Sequence, residues 1–205
     1  MNASREKVLS SRISALVDSV FAIVMTILVL EIKVPRDITS YRDFTIQSFL
    51  TGYYQDILLY MVVFITLGYL WHIHHDHSGY IVRTDRQYIW INIITLMLVA
   101  LIPFSSSVVN KFTDDWLAEV FLAVNMLLVG MCNYLSWAYA TKAHRLISEN
   151  VPESLIGWEK GRLMIFPIVS LAAILASFVY PVLASYVLLL APVSGFFINP
   201  AAGER

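Results

Sequence analysis

Two charges stand where a bilayer helix should carry none: Arg12 and Asp18 lie just before the unbroken apolar run from Val20 to Leu30. An ionisable group in a membrane segment is expensive, so it marks either a functional site or a fixed polar contact. At 100° per residue, Leu16, Ser19, Ile23, Ile27 and Leu30 fall within about 40° of one line, whereas Asp18 lies about 140° from Ile23. One side of this helix is therefore an aliphatic stripe. The other carries a carboxylate that needs partners on neighbouring helices. Arg12 and Asp18 are six residues apart, hence on different faces, and should not pair within the helix. Trp71, His74 and Asn92 supply an indole N–H, an imidazole and a carboxamide, each able to bond a carboxylate or to complement the surroundings of an arginine. These residues predict an inter-helix polar clasp, and by itself Asp18 can be read as a structural contact or as part of ion chemistry.

The second concentration of reactive side chains is His72-Ile-His74-His75-Asp-His77. Four imidazoles in so short a stretch could ligate zinc or sense protons near neutral pH. A zinc transporter of the cation diffusion facilitator type is the rival reading that this cluster raises. Such transporters place a second ligand set on their fifth helix and add a C-terminal domain; the fifth apolar segment here has no histidine or aspartate. An enzyme is not expected. Beyond the cluster only His144 remains, too little for the several histidine boxes of a di-iron desaturase, and no Ser-His-Asp or paired-carboxylate pattern stands out. Asp114, Asp115 and Glu119 read as capping acids at a helix start or as an acidic outer vestibule. No cofactor is expected.

The elements that must position these groups are membrane helices. Charged residues make up 14% of the 205 residues, against about 25% in a soluble domain, so lipid is the main solvent. The net charge of −1 and the absence of a basic stripe argue against nucleic acid. A single cysteine, Cys132, rules out an intrachain disulfide and a thiolate metal cage. Spans need about 20 mostly apolar residues, which predicts one all-α, six-helix membrane domain over 1–205, with spans at about 10–32, 54–74, 87–109, 115–141, 160–179 and 182–198. The first is too long, and too charged at Asp18, for a cleavable signal peptide. Lys33-Val-Pro35 should end it, and Thr113 or Asp114 should cap the fourth. If the N-terminus is cytoplasmic, that side holds ten of the loop lysines and arginines (Arg5, Lys7, Arg12, Arg83, Arg86, Lys142, Arg145, Lys160, Arg162, Arg205). The other side holds four (Lys33, Arg36, Arg42, Lys111), so both termini are expected in the cytoplasm. Tyr53, Tyr54, Trp71, Trp90, Trp116 and Trp137 suit the aromatic belts.

Arg12-Ile-Ser-Ala-Leu16-Val17-Asp18 resembles the Arg-x-x-x-Phe-Ser-Asp signature of the endosomal/lysosomal potassium channels, the transmembrane protein 175 family, in its single-repeat prokaryotic form. Leu16 and Val17 stand in place of Phe and Ser. The continuation through Ile23 and Thr26 to Leu30, Trp71-x-x-His74, Asn92 and Ile102-Pro103-Phe104 is also similar to the family. The resemblance covers roughly residues 10–110. It implies a homotetramer whose four first helices line a potassium pore, with a main constriction at Ile23 and further rings at Ile27 and Leu30. Thr26 then falls at a position linked to ion preference, with Ser19 a second hydroxyl. Closing a ring of copies is the usual way to build such an assembly, and a narrow aliphatic ring can gate by dewetting. No Thr-Val-Gly-Tyr-Gly stretch is present, so a carbonyl-lined filter is not expected. A prokaryotic cell membrane is the expected location, and the expected partners are lipid, further copies of the chain and monovalent cations.

Overall fold

The computed structural model describes residues 3–32 and 45–197, and it is all-helical apart from one isolated bridge. The expected break at Lys33 and Pro35, and the loop cations Arg36, Arg42 and Arg205, lie outside the described residues. The helices are α1 (Ala3–Leu28), α2 (Ile46–Gly52), α3 (Tyr54–Ser78), α4 (Arg86–Ala100), α5 (Ile102–Lys111), α6 (Trp116–Thr141), α7 (Glu153–Ser177), α8 (Pro181–Ala184) and α9 (Leu190–Phe197). Among the described residues five helical stretches are long and apolar enough to cross a membrane: Ser10–Glu31, Tyr54–Ser78, Arg86–Lys111, Trp116–His144 and Glu153–Ser177.

Each boundary has a local cause. Pro103 lacks an N–H, so the carbonyl one turn before it loses its helical partner and the third span divides into α4 and α5 at Leu101. Asp115, not Thr113 or Asp114, caps α6 by accepting from the Leu117 amide at 2.9 Å. Asp114 instead takes a left-handed turn at φ 69°. Asp85 caps α4 through the Tyr88 amide at 2.9 Å. The expected sixth span, 182–198, is a shorter apolar stretch, Pro181–Gly195, assembled from α8, a 3-10 turn (Ser185–Leu189) and the start of α9.

The core lies between α6 and α7, with α4 and α5 against α6 and with α1 and α3 packed together beside them. Gly130 of α6 sets how closely α7 approaches, because a Cβ there would sit 2.7 Å from the Phe166 ring. α1 joins through Val17, Phe21, Val24 and Leu28, all buried at helical spacing. One end of the molecule is stitched across loops: the Val82 and Arg83 amides both donate to the Leu146 carbonyl, and the Ser10 hydroxyl donates to the Ile81 carbonyl. This end also carries Arg12, Arg83, Arg86, Lys142, Arg145, Lys160 and Arg162, and is called the basic end below.

Candidate functional site

The site is built on the two faces of α1. On one side Val17, Phe21, Val24 and Leu28 fill the core against α3 and α4. On the other Leu16, Ile23 (56% exposed), Ile27 (39%) and Leu30 (71%) are uncovered by the rest of the chain. Ile23 and Ile27, with Val20, form the wall of an apolar groove of about 370 Å³ whose far side is Pro103 and Phe104. Ser19 and Thr26 lie on the exposed side as well. Their hydroxyls donate within α1, Ser19 to the Ala15 carbonyl and Thr26 to the Ile23 carbonyl, each at 2.7 Å. With the proton engaged inward, each oxygen keeps acceptor capacity for a group outside the helix.

The polar residues expected to meet at the start of α1 are only partly brought together. The Trp71 indole Nε1 donates to Asp18 Oδ1 at 2.9 Å, joining α3 to α1. His74 turns away from that bond to Asn133 of α6, where Nδ1 lies 3.5 Å from Oδ1. Asn92 donates to the Tyr88 carbonyl of its own helix at 2.9 Å. Arg12 is exposed and makes no ion pair among the described residues.

The histidine cluster separates into four environments. His77 is buried, stacked on Trp137 at 4.5 Å, with Nε2 2.9 Å from Glu159 Oε2. His74 is buried on Asn133, His75 packs on the Trp71 ring, and His72 is exposed, 3.7 Å from Asp76. His74 and His77, three residues apart, share the buried face of α3, while His72 and His75 lie on the outer one, and no group of three or more histidine, cysteine, aspartate or glutamate side chains is arranged to hold a metal among the described residues. Trp137, expected in an aromatic belt, is 2% exposed and belongs to the core; Trp71, Trp90 and Trp116 do reach the surface.

Sequence reasoning missed the residue that organises this end. Arg162 of α7 is buried and bonds Asp76 of α3 at 3.1 Å. Its Nε also lies 3.0 Å from Glu159 Oε2, but the N–H is directed off the line between them, so this is a charge contact rather than a hydrogen bond. The available signal was Glu159-x-x-Arg162, an i,i+3 pair within helical reach. Asp85 was likewise unforeseen. Partial burial raises its carboxyl pKa, yet the Tyr139 hydroxyl, the Tyr88 amide and Arg145 outweigh that and hold it below the ordinary range. Asp115 is occupied as a cap, whereas Asp114 and Glu119 line one pocket with Asp56, where the buried Glu119 accepts from the Ser185 hydroxyl at 3.2 Å.

Comparison with known proteins identifies the family and the fold. The family described as endosomal/lysosomal potassium channel TMEM175 matches residues 12–103, the stretch from Arg12 through Pro103. A potassium channel of Streptomyces collinus is 30% identical over 146 residues, 69% of this chain and 69% of its own. A potassium channel of Chamaesiphon minutus is 30% identical over 144 residues, 68% of this chain and 70% of its own. The crystal structure of a lysosomal potassium-selective channel TMEM175 homolog from Chamaesiphon minutus superposes with a TM-score of 0.78 at 24% identity, over 90% of this chain and 95% of that one, and so shares its fold. On these likenesses, the chain belongs to the endosomal/lysosomal potassium channel TMEM175 family.

Proposed function

We propose that the protein is a potassium-permeable cation channel, and not an enzyme, in which four copies bring their α1 helices around a central pore. The observation that carries this reading is the division of α1: a buried stripe anchors it, while Ile23, Ile27 and Leu30 remain uncovered on the other side. One copy offers one such line and cannot enclose a pore with it; a closed ring of copies can. The names of the relatives, potassium channels in two bacteria, support the choice of ion.

In this arrangement Ile23 forms the narrowest ring, with Ile27 and Leu30 farther along. Such a ring excludes water until the α1 helices rotate or move apart, so it gates by dewetting. Ser19 and Thr26 turn oxygen lone pairs toward the lumen edge, a weak cation preference compatible with modest potassium discrimination. The Trp71–Asp18 bond fixes the other side of α1 to α3 at the basic end, with Arg12 exposed nearby on α1. Pro181–Gly195 serves as the sixth membrane segment, and the basic end faces the cytoplasm of a prokaryotic cell, both termini included. The histidine cluster serves packing: two of its four rings are engaged by Asn133 and Glu159, and the zinc-transporter alternative gains no support.

Purified protein in liposomes tests the reading. A potassium gradient should drive fast, non-saturating flux and a zinc gradient none above protein-free vesicles. Saturable zinc–proton exchange without potassium flux would overturn it. The mass of the detergent complex should be that of four chains.

A further inference from the structure

Between α3, α4 and α6, at the basic end, lies an enclosed polar cavity lined by His74, His77, Tyr88, Asn133, Ser136 and Trp137. It has about 10 Å³ of room for the centre of a water molecule, close to the minimum of about 10–15 Å³ that one water requires. Asn133 is 4% exposed, and its Nδ2 finds no hydrogen-bond partner among the described residues. A buried amide donor left unsatisfied carries its full desolvation penalty, so native proteins rarely tolerate one. Flipping the amide does not remove the difficulty. Its oxygen already faces His74 Nδ1 at a long 3.5 Å, and exchange of the two atoms would leave the oxygen as the orphan instead. The walls supply the other partners a water needs. The Ser136 hydroxyl approaches that of Tyr88, and two imidazoles border the same space.

We infer that this cavity binds one structural water, which accepts from Asn133 Nδ2 and is held by the Ser136 and Tyr88 hydroxyls. The water joins side chains of three helices, adding to the long His74–Asn133 contact between α3 and α6. It also links His74, beside the Trp71–Asp18 bond, to His77, whose ring bonds Glu159 of α7. This inference does not depend on the channel reading, because it rests on an orphaned donor and a cavity of matching size.

The test is a structure of the wild-type protein at better than about 2 Å resolution, where ordered water is visible, together with Asn133→Leu and Ser136→Ala. The expected wild-type result is a single solvent peak at hydrogen-bond distance from Asn133. Asn133→Leu removes the donor, fills the space and should lose the peak. Ser136→Ala removes one of three partners and should keep the peak at reduced occupancy, which preserves the test if the leucine variant does not fold. An empty wild-type cavity, or a protein group moved in to bond Nδ2 directly, would overturn the inference.

Discussion

At the basic end the polar groups between helices are tied to one another: Asp76 to Arg162, Glu159 to His77, Asp85 to Tyr139 and Arg145, and the loop amides of Val82 and Arg83 to Leu146. Along the uncovered line of α1 nothing comparable exists. Ser19 and Thr26 bond within their own helix, and the side chains of Ile23, Ile27 and Leu30 stay exposed. Charges inside a membrane protein persist only when paired, so the basic end is fixed by necessity. A line of aliphatic side chains has no directional bonds and can slide or separate at little cost. The contrast assigns the two regions different work, a braced platform and a movable surface, with Trp71–Asp18 as the joint between them.

Breaking the platform should cost most. Arg162→Leu takes the guanidinium from the buried Glu159, which keeps only His77, and from the part-exposed Asp76, and should destabilise the protein by up to about 3–5 kcal/mol, seen as a large fall in thermal midpoint in detergent. The same contrast sharpens within α1. Phe21→Ala opens a cavity in the core and should cost about 3–5 kcal/mol, whereas Ile23→Ala, two residues away on the uncovered side, should stay within about 0.5 kcal/mol; equal losses would erase the distinction. At the joint, Trp71→Phe removes a hydrogen bond to a carboxylate worth about 1.5–3 kcal/mol at most, less for its partial exposure. Asp18→Ala should alter gating, and a variant that assembles and conducts like wild type would remove the joint from the account. The smallest effect concerns Asp85. Its depressed pKa means that its contribution is complete above the ordinary carboxylate value near about 4 and fades as the pH falls through its lower native value. The thermal midpoint of Asp85→Asn, which keeps a capping side chain, should lie below wild type at pH 7 and converge with it at acidic pH.

Much of this could be read from the chain because membrane helices obey one strong rule, a long apolar run. The helical stretches Tyr54–Ser78, Arg86–Lys111 and Trp116–His144 lie close to the expected 54–74, 87–109 and 115–141, whereas Glu153–Ser177 starts well before the expected 160–179. The misses share a cause. α3 runs on to Ser78 and α7 begins at Glu153, each through charged or imidazole side chains that read as loop, because His77 contacts Glu159 and Asp76 pairs with Arg162 across the two helices. Such a cross-helix set has no signature in either segment alone. The stripe on α1 was legible for the opposite reason, since a single helix determines it. His74 meets Asn133 because of how α3 and α6 rotate against each other, which hydropathy does not encode, and Asn92 turns back to the Tyr88 carbonyl of its own helix.

The central claim is that the uncovered side of α1 controls permeation, with Ile23 at the constriction. Potassium and sodium flux through Ile23→Asn, measured in liposomes beside the wild type, tests it most directly. A polar ring that stays wet should raise the potassium flux by about tenfold or more, equivalent to lowering the barrier by about 1.4 kcal/mol, and should reduce the preference for potassium over sodium. Unchanged flux and preference in a variant that assembles normally would contradict the account.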